Sequence, residues 1–448
     1  MSFNSPTNKK VLSKQKTFSI SIHSHRFLLC CFITTFITLL TLLQIQTFKT
    51  SFPFSSPQEE KISFLPLKDL RFADKPMEDH TWFMSSMNDT KEDGGPEHVY
   101  FPSEASDGRL LCLSGQSTSN GTMNSYGLSS PVSLPSDVEV LRGLTFISDT
   151  YYDYDNLWHG LSAMVPFISW HQSKGCMLPK RWVLYHHGEI RTGMSPWLRE
   201  LLEAVFGPRS LVIEDFKGRS TKTSCLEKAV VFRRNQGSMS KEKKEEVYEM
   251  MRCKARAHCG IKNEIEEDEK KVVIRLTLLL RVGKRSFKDD NAVIRIFEKV
   301  CTKVEGCRLR VARPNNLTFC DQVKLMSDTD VLATPHGAQL TNMFFMDKNS
   351  SVMEFFPKGW LELAGVGQYV FRWIAESSGI KHKGQWRDPI GERCPETDPA
   401  KCFPFYKDKQ IGHDESFFSN WTASVLNEMR EQKLANHHTK INPTTCAC

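Results

Sequence analysis

Two blocks of the chain alternate short apolar runs with longer stretches whose apolar residues recur at helical spacing. In the first block, strands are predicted at VEVLRGLTFIS, RWVLYHH, SLVIEDF and KAVVFRR, and helices at LWHGLSAMVPFISWHQ and SPWLRELLEAVF. A charged stretch at residues 236–271 follows; its first half predicts a surface helix and its second half an exposed linker. Alternating strands and helices predict an α/β fold with a mostly parallel sheet.

The second block, residues 272–379, alternates more regularly. It predicts strands at VVIRLTLLLR, CRLRVAR, DVLAT and SSVMEFF, and helices at NAVIRIFEKVC, TFCDQVKLMS, AQLTNMFFM and YVFRWIAESSG. Two such blocks joined by a polar linker predict two Rossmann-like domains facing a cleft, at residues 136–270 and 271–448. Ligands of such sheets bind beyond the C-terminal ends of the strands, near the point where the strand order reverses.

An uncharged stretch, FLLCCFITTFITLLTLLQIQTF at residues 27–48, follows a basic lead that contains no acidic residue. Its most apolar 17 residues would extend about 26 Å as a helix, which suits a thin early-secretory bilayer. The basic lead places the N-terminus in the cytosol. The pattern predicts a cytosolic tail at 1–26, a type II membrane anchor at 27–48 and a Ser- and Pro-rich stem at 49–135, with a cleaved signal peptide as the alternative.

Composition restricts the classes of function. Hydrophobic residues make up 40% of the 448 residues and charged residues 25%, and the net charge of +7 comes from basic and acidic residues that are interleaved along the chain. This balance is typical of a globular protein. It does not favour nucleic-acid binding, which needs clustered positive charge.

Cysteines and glycosylation motifs indicate the lumen of the secretory pathway. Of the 14 cysteines, Cys30 and Cys31 lie in the predicted span and the others follow it. Three pairs are spaced like small disulfide loops: Cys253/Cys259, Cys301/Cys307 and Cys394/Cys402. N-x-S/T sequons occur at Asn88, Asn120, Asn316, Asn349 and Asn420. Together these features predict an oxidising, glycosylating compartment.

Two stretches of the second block carry polar side chains just past strand ends. In LLLRVGKRSF, Arg281 and Arg285 could clamp a diphosphate with two guanidinium groups; ordinary surface arginines are the alternative. In PHGAQLTN, Gly337 would let the backbone approach a ligand closely, and the helix that begins at Ala338 would favour an anion. His336 would donate to a phosphate or position a sugar, with a satisfied structural histidine as the alternative.

A third stretch, VMEFFP, places a carboxylate, Glu354, at the end of an apolar strand. A buried carboxylate needs a partner. A ribose or sugar hydroxyl is one candidate, and a local salt bridge is the other.

Two D-x-D triplets raise the alternative of a metal-dependent enzyme that holds a divalent cation such as Mn²⁺ on a diphosphate. Asp328 and Asp330 precede their predicted strand, on the side away from a ligand. Asp153 and Asp155 lie in a Tyr-rich loop and are predicted to be turn residues or acceptor-side contacts. No metal or other cofactor is therefore expected.

The order and spacing of these stretches resemble the signature of plant glycosyltransferase family 61. LLLRVGKRSF, PHGAQLTNMFFM and SSVMEFFP carry the resemblance, which extends over residues 140–390, and HGA-x-LTN-x-x-F is its most specific part. Upstream, YDNLWHGLSAMVPFISWHQ is similar to the N-x-x-H segment of the family. Animal relatives include lumenal N-acetylglucosaminyltransferases that act on O-mannose or on EGF-like domains.

The resemblance implies a GT-B fold, a type II Golgi membrane protein, a nucleotide-sugar donor and inversion at the anomeric carbon. In plants it implies transfer of a pentose, from UDP-xylose or UDP-arabinose, to a xylan-type polysaccharide or a glycoprotein glycan. The last predicted helix, ESFFSNWTASVLNEMREQ, would pack back on the first domain. The residues that would bind the donor are Arg281, Arg285, His336, Gly337, Ala338, Thr341, Asn342 and Glu354.

The predicted base departs from the family pattern. Members that decorate xylan carry acids shortly after the first-domain histidine, whereas His159 is followed by Gly160–Ala163. Inverting transfer needs a base that deprotonates the acceptor hydroxyl. His159 and Asp155 are the predicted catalytic residues, with Asp153 and His171 as alternatives. A non-catalytic lumenal scaffold subunit, in a complex with other Golgi transferases, is the rival function.

Overall fold

The structure, a computed structural model, describes most of the chain: residues 20–51, 61–67, 94–150, 152–219, 223–232, 239–261, 272–436 and 446. Side chains are undescribed at 20–28, 45–51, 316, 361 and 366. The chain divides into two compact units, Met1–Gln58 and Glu59–Cys448.

The smaller unit contains helix α1 (Ile20–Ser51). Its threonines donate hydrogen bonds to carbonyls one turn back, as Thr38 Oγ1 does to Thr34 O at 2.8 Å. Among the described residues, no helix is both long and apolar enough to cross a membrane. The side chains of α1 are described at residues 29–44, which is only part of the predicted anchor at 27–48. The anchor therefore stays a prediction.

The first sheet of the larger unit is mixed. Its strands are β1 (Leu65–Pro66), β2 (His98–Phe101), β3 (Leu110–Ser114), β4 (Ser125–Ser129), β5 (Val138–Thr150), β6 (Arg181–His186), β7 (Glu189–Arg191) and β8 (Thr223–Phe232). The order is β1-β4-β3-β8-β5-β6-β7, and β2 also pairs with β8. Strand β5 runs parallel to β6 and β8, and the other pairs are antiparallel. The helices of this block are α2 (Leu157–Ser173), α3 (Pro196–Phe206) and α4 (Lys241–His258).

Strands β2, β3 and β4 lie inside residues 49–135, where composition predicts a stem. Strands β2 and β3 pair with β8, and they bury Val99, Phe101, Leu111 and Leu113 in an apolar cluster on the sheet. The folded part therefore begins before the predicted boundary. Strands this short are stabilised by a partner that is distant in sequence, which local composition does not reveal.

The second sheet is parallel throughout, as the sequence predicts. Its strands are β9 (Ile274–Leu279), β10 (Cys307–Ala312), β11 (Val331–Pro335), β12 (Ser351–Phe356) and β13 (Lys381–Arg387). The order β10-β9-β11-β12-β13 is that of a doubly wound sheet, and it reverses between β9 and β11. The helices of this block are α5 (Asp290–Cys301), α6 (Phe319–Ser327), α7 (Trp360–Leu363), α8 (Val370–Ser377), α9 (Pro399–Lys407) and α10 (Glu415–Asn436).

Two predicted elements take another form. The run AQLTNMFFM forms a 3₁₀ helix, Ala338–Phe345, in place of an α-helix. The run SLVIEDF forms an isolated bridge from Ile213 to Trp182 in place of a strand. The final helix α10 is present, but it packs on the second sheet, through Phe418 and Leu426, where the resemblance implied packing on the first domain. In each case distant packing partners override the local pattern.

One apolar core runs through both blocks. It contains side chains of α2, α3 and α4 together with those of the 3₁₀ helix and α8. Trp197 of α3 packs on Phe344 and Phe345, with ring centroids 6.3 and 6.0 Å apart. The indole N–H of Trp197 donates to Asn342 Oδ1 at 2.8 Å. The α/β class is confirmed, the two predicted domains share one core, and the GT-B arrangement stays a prediction.

Disulfides confirm two of the three predicted loops. The pairs among described cysteines are Cys112–Cys225, Cys253–Cys446, Cys259–Cys320, Cys301–Cys307 and Cys394–Cys402. The predicted Cys253–Cys259 loop is wrong. Cys253 lies in α4 and Cys259 caps its end, and residues six apart on a helix point about 120° away from each other.

Candidate active site

A cavity of about 1570 Å³ opens where the strand order of the second sheet reverses. The segments that follow β9 and β11 bring Arg281, Arg285, His336 and Gly337 to its wall. Another part of the wall comes from the beginning of α2 and includes His159. Parallel strands end at the same edge of a sheet, so residues distant in the chain meet at the place where such sheets bind ligands.

Arg281 and Arg285 bring two guanidinium groups to the cavity. Arg281 Nη1 donates to His336 O at 3.3 Å and to Gln339 Oε1 at 3.2 Å. The guanidinium of Arg285 lies over the ring of Trp360, 5.1 Å from its centroid. The Nε atoms of both arginines are buried and have no hydrogen-bond partner among the described residues. Half-buried cations with unsatisfied N–H groups can receive an anion.

The two arginines also raise each other's electrostatic energy. Burial lowers the pKa of the Arg281 guanidinium. Burial and the positive charge of Arg281 lower the pKa of Arg285 to about 10, and the negative charge of Asp408 opposes them. Both groups stay cationic at neutral pH, and an anion bound between them would offset the desolvation and the repulsion.

Gly337 is required by the close approach of Arg281. Its φ of 165° is extended backbone that any residue adopts. A Cβ at this position would lie 2.0 Å from Arg281 Nη1 and 2.5 Å from Gln339 Oε1. The sequence predicted that this glycine admits a ligand; in the structure it makes room for a guanidinium group.

Glu354 is buried beneath the cavity between two histidines. His336 Nδ1 donates to its Oε1 at 2.5 Å, and His382 Nε2 donates to its Oε2 at 2.9 Å. Gln385 Nε2 donates to Oε2 at 3.3 Å. Glu354 has no exposed surface and does not line the cavity. Both carboxylate oxygens are occupied by neighbouring side chains, which favours the local pair over the predicted contact with a donor hydroxyl.

The Glu354–His336 pair is a carboxylate beside a neutral imidazole. Burial alone raises the pKa of the Glu354 carboxyl, but the two histidines lower it to about 2. Burial lowers the pKa of His336, and the positive charges of Arg285 and Arg281 lower it further. The negative charge of Glu354 and its hydrogen bond act in the opposite direction but do not outweigh burial. With its proton on Nδ1, His336 carries a lone pair on Nε2. An anion beside the arginines would raise the pKa of His336 and would let Nε2 donate as well.

His159 lies at the first turn of α2. The Oδ1 of Asn156 caps this helix by accepting from the N–H groups of Trp158 and His159 at 3.1 and 3.4 Å. The imidazole stacks on Tyr152, with ring centroids 4.1 Å apart. Burial lowers the pKa of His159 to about 4, and the charge of Lys407 acts in the same direction. The imidazole is therefore neutral at neutral pH and has a lone pair to offer.

Aromatic packing connects the two histidines of the cavity. Phe371 of α8 lies 6.5 Å from Trp158 and 4.9 Å from His336, measured between ring centroids. His336 and the helix that carries His159 thus meet at one aromatic side chain. His171, the alternative base, is buried with its Nδ1 2.8 Å from a backbone carbonyl, and it does not line the cavity.

Three other predicted site residues lie away from the cavity lining, whereas Ala338 is part of it. Asp155 is exposed. Thr341 and Asn342 are fully buried. Asn342 holds elements together, because its Oδ1 accepts from Trp197 and its Nδ2 donates to Gln322 Oε1 at 2.9 Å. The motif spacing placed these two near the donor; the turn of the 3₁₀ helix directs them into the core.

Asp153, Asp328 and Asp330 of the D-x-D triplets have partners elsewhere. Asp153 Oδ2 accepts from Arg191 Nε at 2.7 Å. On the N-terminal side of β11, Asp330 accepts from the backbone and the guanidinium of Arg275, and Asp328 accepts from the same guanidinium. Among the described residues, no group of three or more His, Cys, Asp and Glu side chains could hold a metal ion.

The cavity also contains residues that the sequence did not single out. Lys241 and Lys244 begin α4, inside the charged stretch interpreted as solvated surface. Trp360 begins α7, and Lys407 ends α9. One feature of the sequence could have singled out Lys241 and Lys244. Lysines in the first turn of a helix are disfavoured by its dipole, so their presence there can indicate a function.

Sequons are exposed where the structure describes their side chains. Asn120, Asn349 and Asn420 are exposed. Asn88 lies outside the described residues, and the side chain of Asn316 is undescribed. The exposed positions can carry glycans.

A family model described as Glycosyltransferase 61 matches residues 157–353. This stretch contains His159, Arg281, Arg285 and His336, and the match supports membership in that family. A comparison with curated protein sequences finds no match.

Similar solved structures are distant. An oxidoreductase from Corynebacterium diphtheriae is 12% identical, with 36% of this chain and 98% of that chain covered and a TM-score of 0.23. The Flv1 flavodiiron core from Synechocystis sp. PCC6803 is 8% identical (47% and 45% covered, TM-score 0.24). Rubredoxin oxygen:oxidoreductase from Desulfovibrio gigas is 9% identical (49% and 47% covered, TM-score 0.23). The chain thus spans less than half of the last two, and scores this low carry no argument.

Proposed function

We propose that this protein is a glycosyltransferase of family 61 that transfers a sugar from a UDP-sugar to a glycan. The observation that carries the proposal is the pair of half-buried guanidinium groups, Arg281 and Arg285, at the point where the strand order reverses. Their Nε atoms lack partners among the described residues. The family match over residues 157–353 supports the same reaction class, since it includes both arginines and His159.

The diphosphate of the donor lies between Arg281 and Arg285 in this proposal. Each guanidinium offers paired N–H donors that match phosphate oxygens. During transfer the bond from the anomeric carbon to the diphosphate oxygen breaks, and negative charge grows on that oxygen. The two half-buried arginines stabilise this charge, which is the electrostatic task that a metal performs elsewhere, so no divalent cation is needed.

His159 takes the proton of the acceptor hydroxyl while the hydroxyl oxygen forms its bond to the anomeric carbon. Attack from the face opposite the leaving diphosphate inverts that carbon. The imidazole is neutral at neutral pH because its pKa is lowered to about 4. The negative charge of bound UDP raises this pKa toward the working pH, where a general base is most effective. Asp155, the other predicted catalytic residue, is exposed and lies outside the cavity lining, so the proposal assigns the base to His159.

The remaining parts of the proposal follow from the resemblance and the N-terminal pattern. The donor is UDP-xylose or UDP-arabinose, and the acceptor is a xylan-type polysaccharide or a glycoprotein glycan. The protein is a type II Golgi membrane protein of GT-B architecture, alone or in an oligomer with itself or other Golgi transferases. The disulfides and the exposed sequons support a lumenal position.

Two alternatives predict other outcomes. An N-acetylglucosaminyltransferase that acts on glycoprotein would use the same arginines with another sugar. A non-catalytic scaffold subunit is favoured by one observation, which concerns the acids that could serve as a catalytic base. Glu376 is the acidic residue among the described lining residues, and it is already paired with Arg372 at 3.0 Å. With no free acid in that lining, catalysis depends on His159 alone.

Calorimetry with UDP, beside transfer assays with UDP-xylose, UDP-arabinose and UDP-GlcNAc, tests the proposal. Arg281→Ala should weaken UDP binding about tenfold to a hundredfold, because a charge-assisted contact contributes about 1.5–3 kcal/mol. Arg295→Ala, which removes an exposed arginine of α5, is the matched control. Activity should survive EDTA. Loss on chelation that Mn²⁺ restores would overturn the metal-free mechanism, and a wild type that binds no UDP at millimolar concentration would support the scaffold.

A further inference from the structure

The cavity carries more positive charge than a UDP-sugar requires. The cationic side chains of its described lining, histidines aside, are Lys241, Lys244, Arg281, Arg285 and Lys407. The carboxylate of that lining, Glu376, is already paired with Arg372. A UDP-sugar brings one negative charge on each phosphate, which the two arginines match. Lys241 is paired with Glu245 at 3.6 Å, so Lys244 and Lys407 are left for another negatively charged group.

Lys244 is the lysine whose surroundings point to a ligand. It is half-buried in the first turn of α4, and its side-chain ammonium makes no ion pair or hydrogen bond with the described residues. Its neighbours do pair: Lys241 with Glu245 at 3.6 Å, and Lys243 with Glu246 at 2.7 Å. The positive end of the helix dipole disfavours a cation at this position, and so does its burial. An anion in the cavity would offset both effects.

Exposed aromatic rings lie on the neighbouring helix. Helix α8 packs against α4 and brings Trp373, 45% exposed, to the cavity lining. Tyr369, just before α8, is 42% exposed, and its ring centroid lies 6.3 Å from that of Trp373 with the planes inclined by 33°. The negative face of an aromatic ring attracts the C–H groups of a sugar ring. Trp373 lines the cavity and Tyr369 lies beside it, so the two exposed rings form one surface on which a sugar can pack.

We propose that the acceptor is an acidic oligosaccharide, with a sugar ring packed on Trp373 and Tyr369 and a uronic-acid carboxylate paired with Lys244. This inference rests on the proposed glycosyltransferase function and specifies the substrate class of the same site. A neutral oligosaccharide would use the aromatic rings and leave Lys244 unpaired. The phosphates of the donor are the other occupant that Lys244 could meet, and the test separates the two.

Two probes measured on the full chain in the presence of UDP test this: a linear xylo-oligosaccharide and the same chain with one glucuronic-acid branch. The acidic probe should bind about tenfold more tightly at low salt, and the preference should decline as salt screens the charges. Lys244→Gln should remove the preference. Lys243→Gln, one residue away on the same helix, should keep it. Trp373→Ala should weaken both probes alike, and Trp373→Phe should restore them.

Several outcomes would overturn the inference. If wild type binds UDP but binds the two probes equally, or binds neither measurably, the inference of an acidic acceptor is wrong. A Lys244→Gln variant that loses affinity for UDP itself as much as for the acidic probe assigns this lysine to the donor. Failure of the wild type to bind UDP is a separate result, which overturns the proposed function and this inference with it.

Discussion

At Gly337 a single missing Cβ decides where the guanidinium of Arg281 can lie. Gly337→Ala would place a methyl group 2.0 Å from Arg281 Nη1, so the guanidinium must move away. UDP affinity should fall about tenfold, the value of one charge-assisted contact, with little change in stability because the displaced side chain is flexible. Gly193→Ala, whose Cβ meets nothing within 4 Å, is the control for calorimetry. An unchanged affinity would show that Arg281 binds from another position.

The protonation of His159 can be measured directly. Its pKa of about 4 means that its NMR signals should titrate well below the usual range for histidine in the free protein. UDP should raise this pKa, because negative charge favours the imidazolium. His159→Ala should keep UDP affinity and abolish transfer. A variant that loses UDP binding with its fold intact would place His159 on the donor side.

Glu354 stabilises the fold in a pH window set by its pKa. The folded-state pKa of about 2 lies below the ordinary value of 4.5, so its contribution is present above pH 4.5 and is lost as the pH falls toward 2. Glu354→Gln should lower the free energy of unfolding at pH 7 by about 2–4 kcal/mol. Urea denaturation should show the difference from wild type narrowing below pH 4.5. Glu415→Gln, which changes an exposed carboxylate, is the control. If the difference in free energy of unfolding between wild type and Glu354→Gln did not depend on pH, Glu354 would be protonated in the folded protein.

At the scale of elements, the 3₁₀ helix Ala338–Phe345 joins the two blocks. Trp197 of α3 donates to Asn342, and Arg252 of α4 donates from Nε to Phe344 O at 2.8 Å. These contacts fix the turn that carries His336 and Gly337 against the first block. The geometry of the donor side thus depends on helices that precede it by about a hundred residues in the chain.

Trp197→Phe tests that connection. It keeps most of the ring but removes the indole N–H, which leaves Asn342 Oδ1 buried without this donor. The free energy of unfolding should fall by about 1–3 kcal/mol, and a double-mutant cycle with Asn342→Ala should assign the loss to this pair. Purely additive losses in denaturant titration would show that the hydrogen bond does not couple the two blocks.

At the scale of the whole molecule, disulfides and sequons make a joint prediction about compartment. Chain made in a secretory host should yield the Cys253–Cys446 and Cys259–Cys320 bridges in peptide maps. Glycosidase should lower its apparent mass through Asn120, Asn349 or Asn420. Protease added to sealed microsomes should leave everything after about residue 50 intact, since an anchor with a cytosolic basic lead directs the rest into the lumen. Complete digestion of an unglycosylated chain would contradict the lumenal topology.

By itself, the sequence determined the features that depend on near neighbours. Apolar periodicity predicted β5, β6, β8 and β9–β12, with the helices between them, because local alternation exposes one face to the core. Short cysteine spacing predicted the loops at Cys301–Cys307 and Cys394–Cys402. The positions just past predicted strands brought Arg281, Arg285 and His336 forward as candidates, because strand ends of a parallel sheet share one edge. His159 came from the resemblance to the N-x-x-H segment of the family.

Only the tertiary structure decided which partner each side chain meets. Glu354 pairs with His336 and His382, Gly337 accommodates Arg281, and Asn342 turns into the core. Lys241 and Lys244 of α4 line the cavity, although their charged stretch is typical of a solvated surface. These contacts join residues separated by tens to hundreds of positions. Long-range packing sets them, and periodicity along the chain carries no information about which distant surfaces will meet.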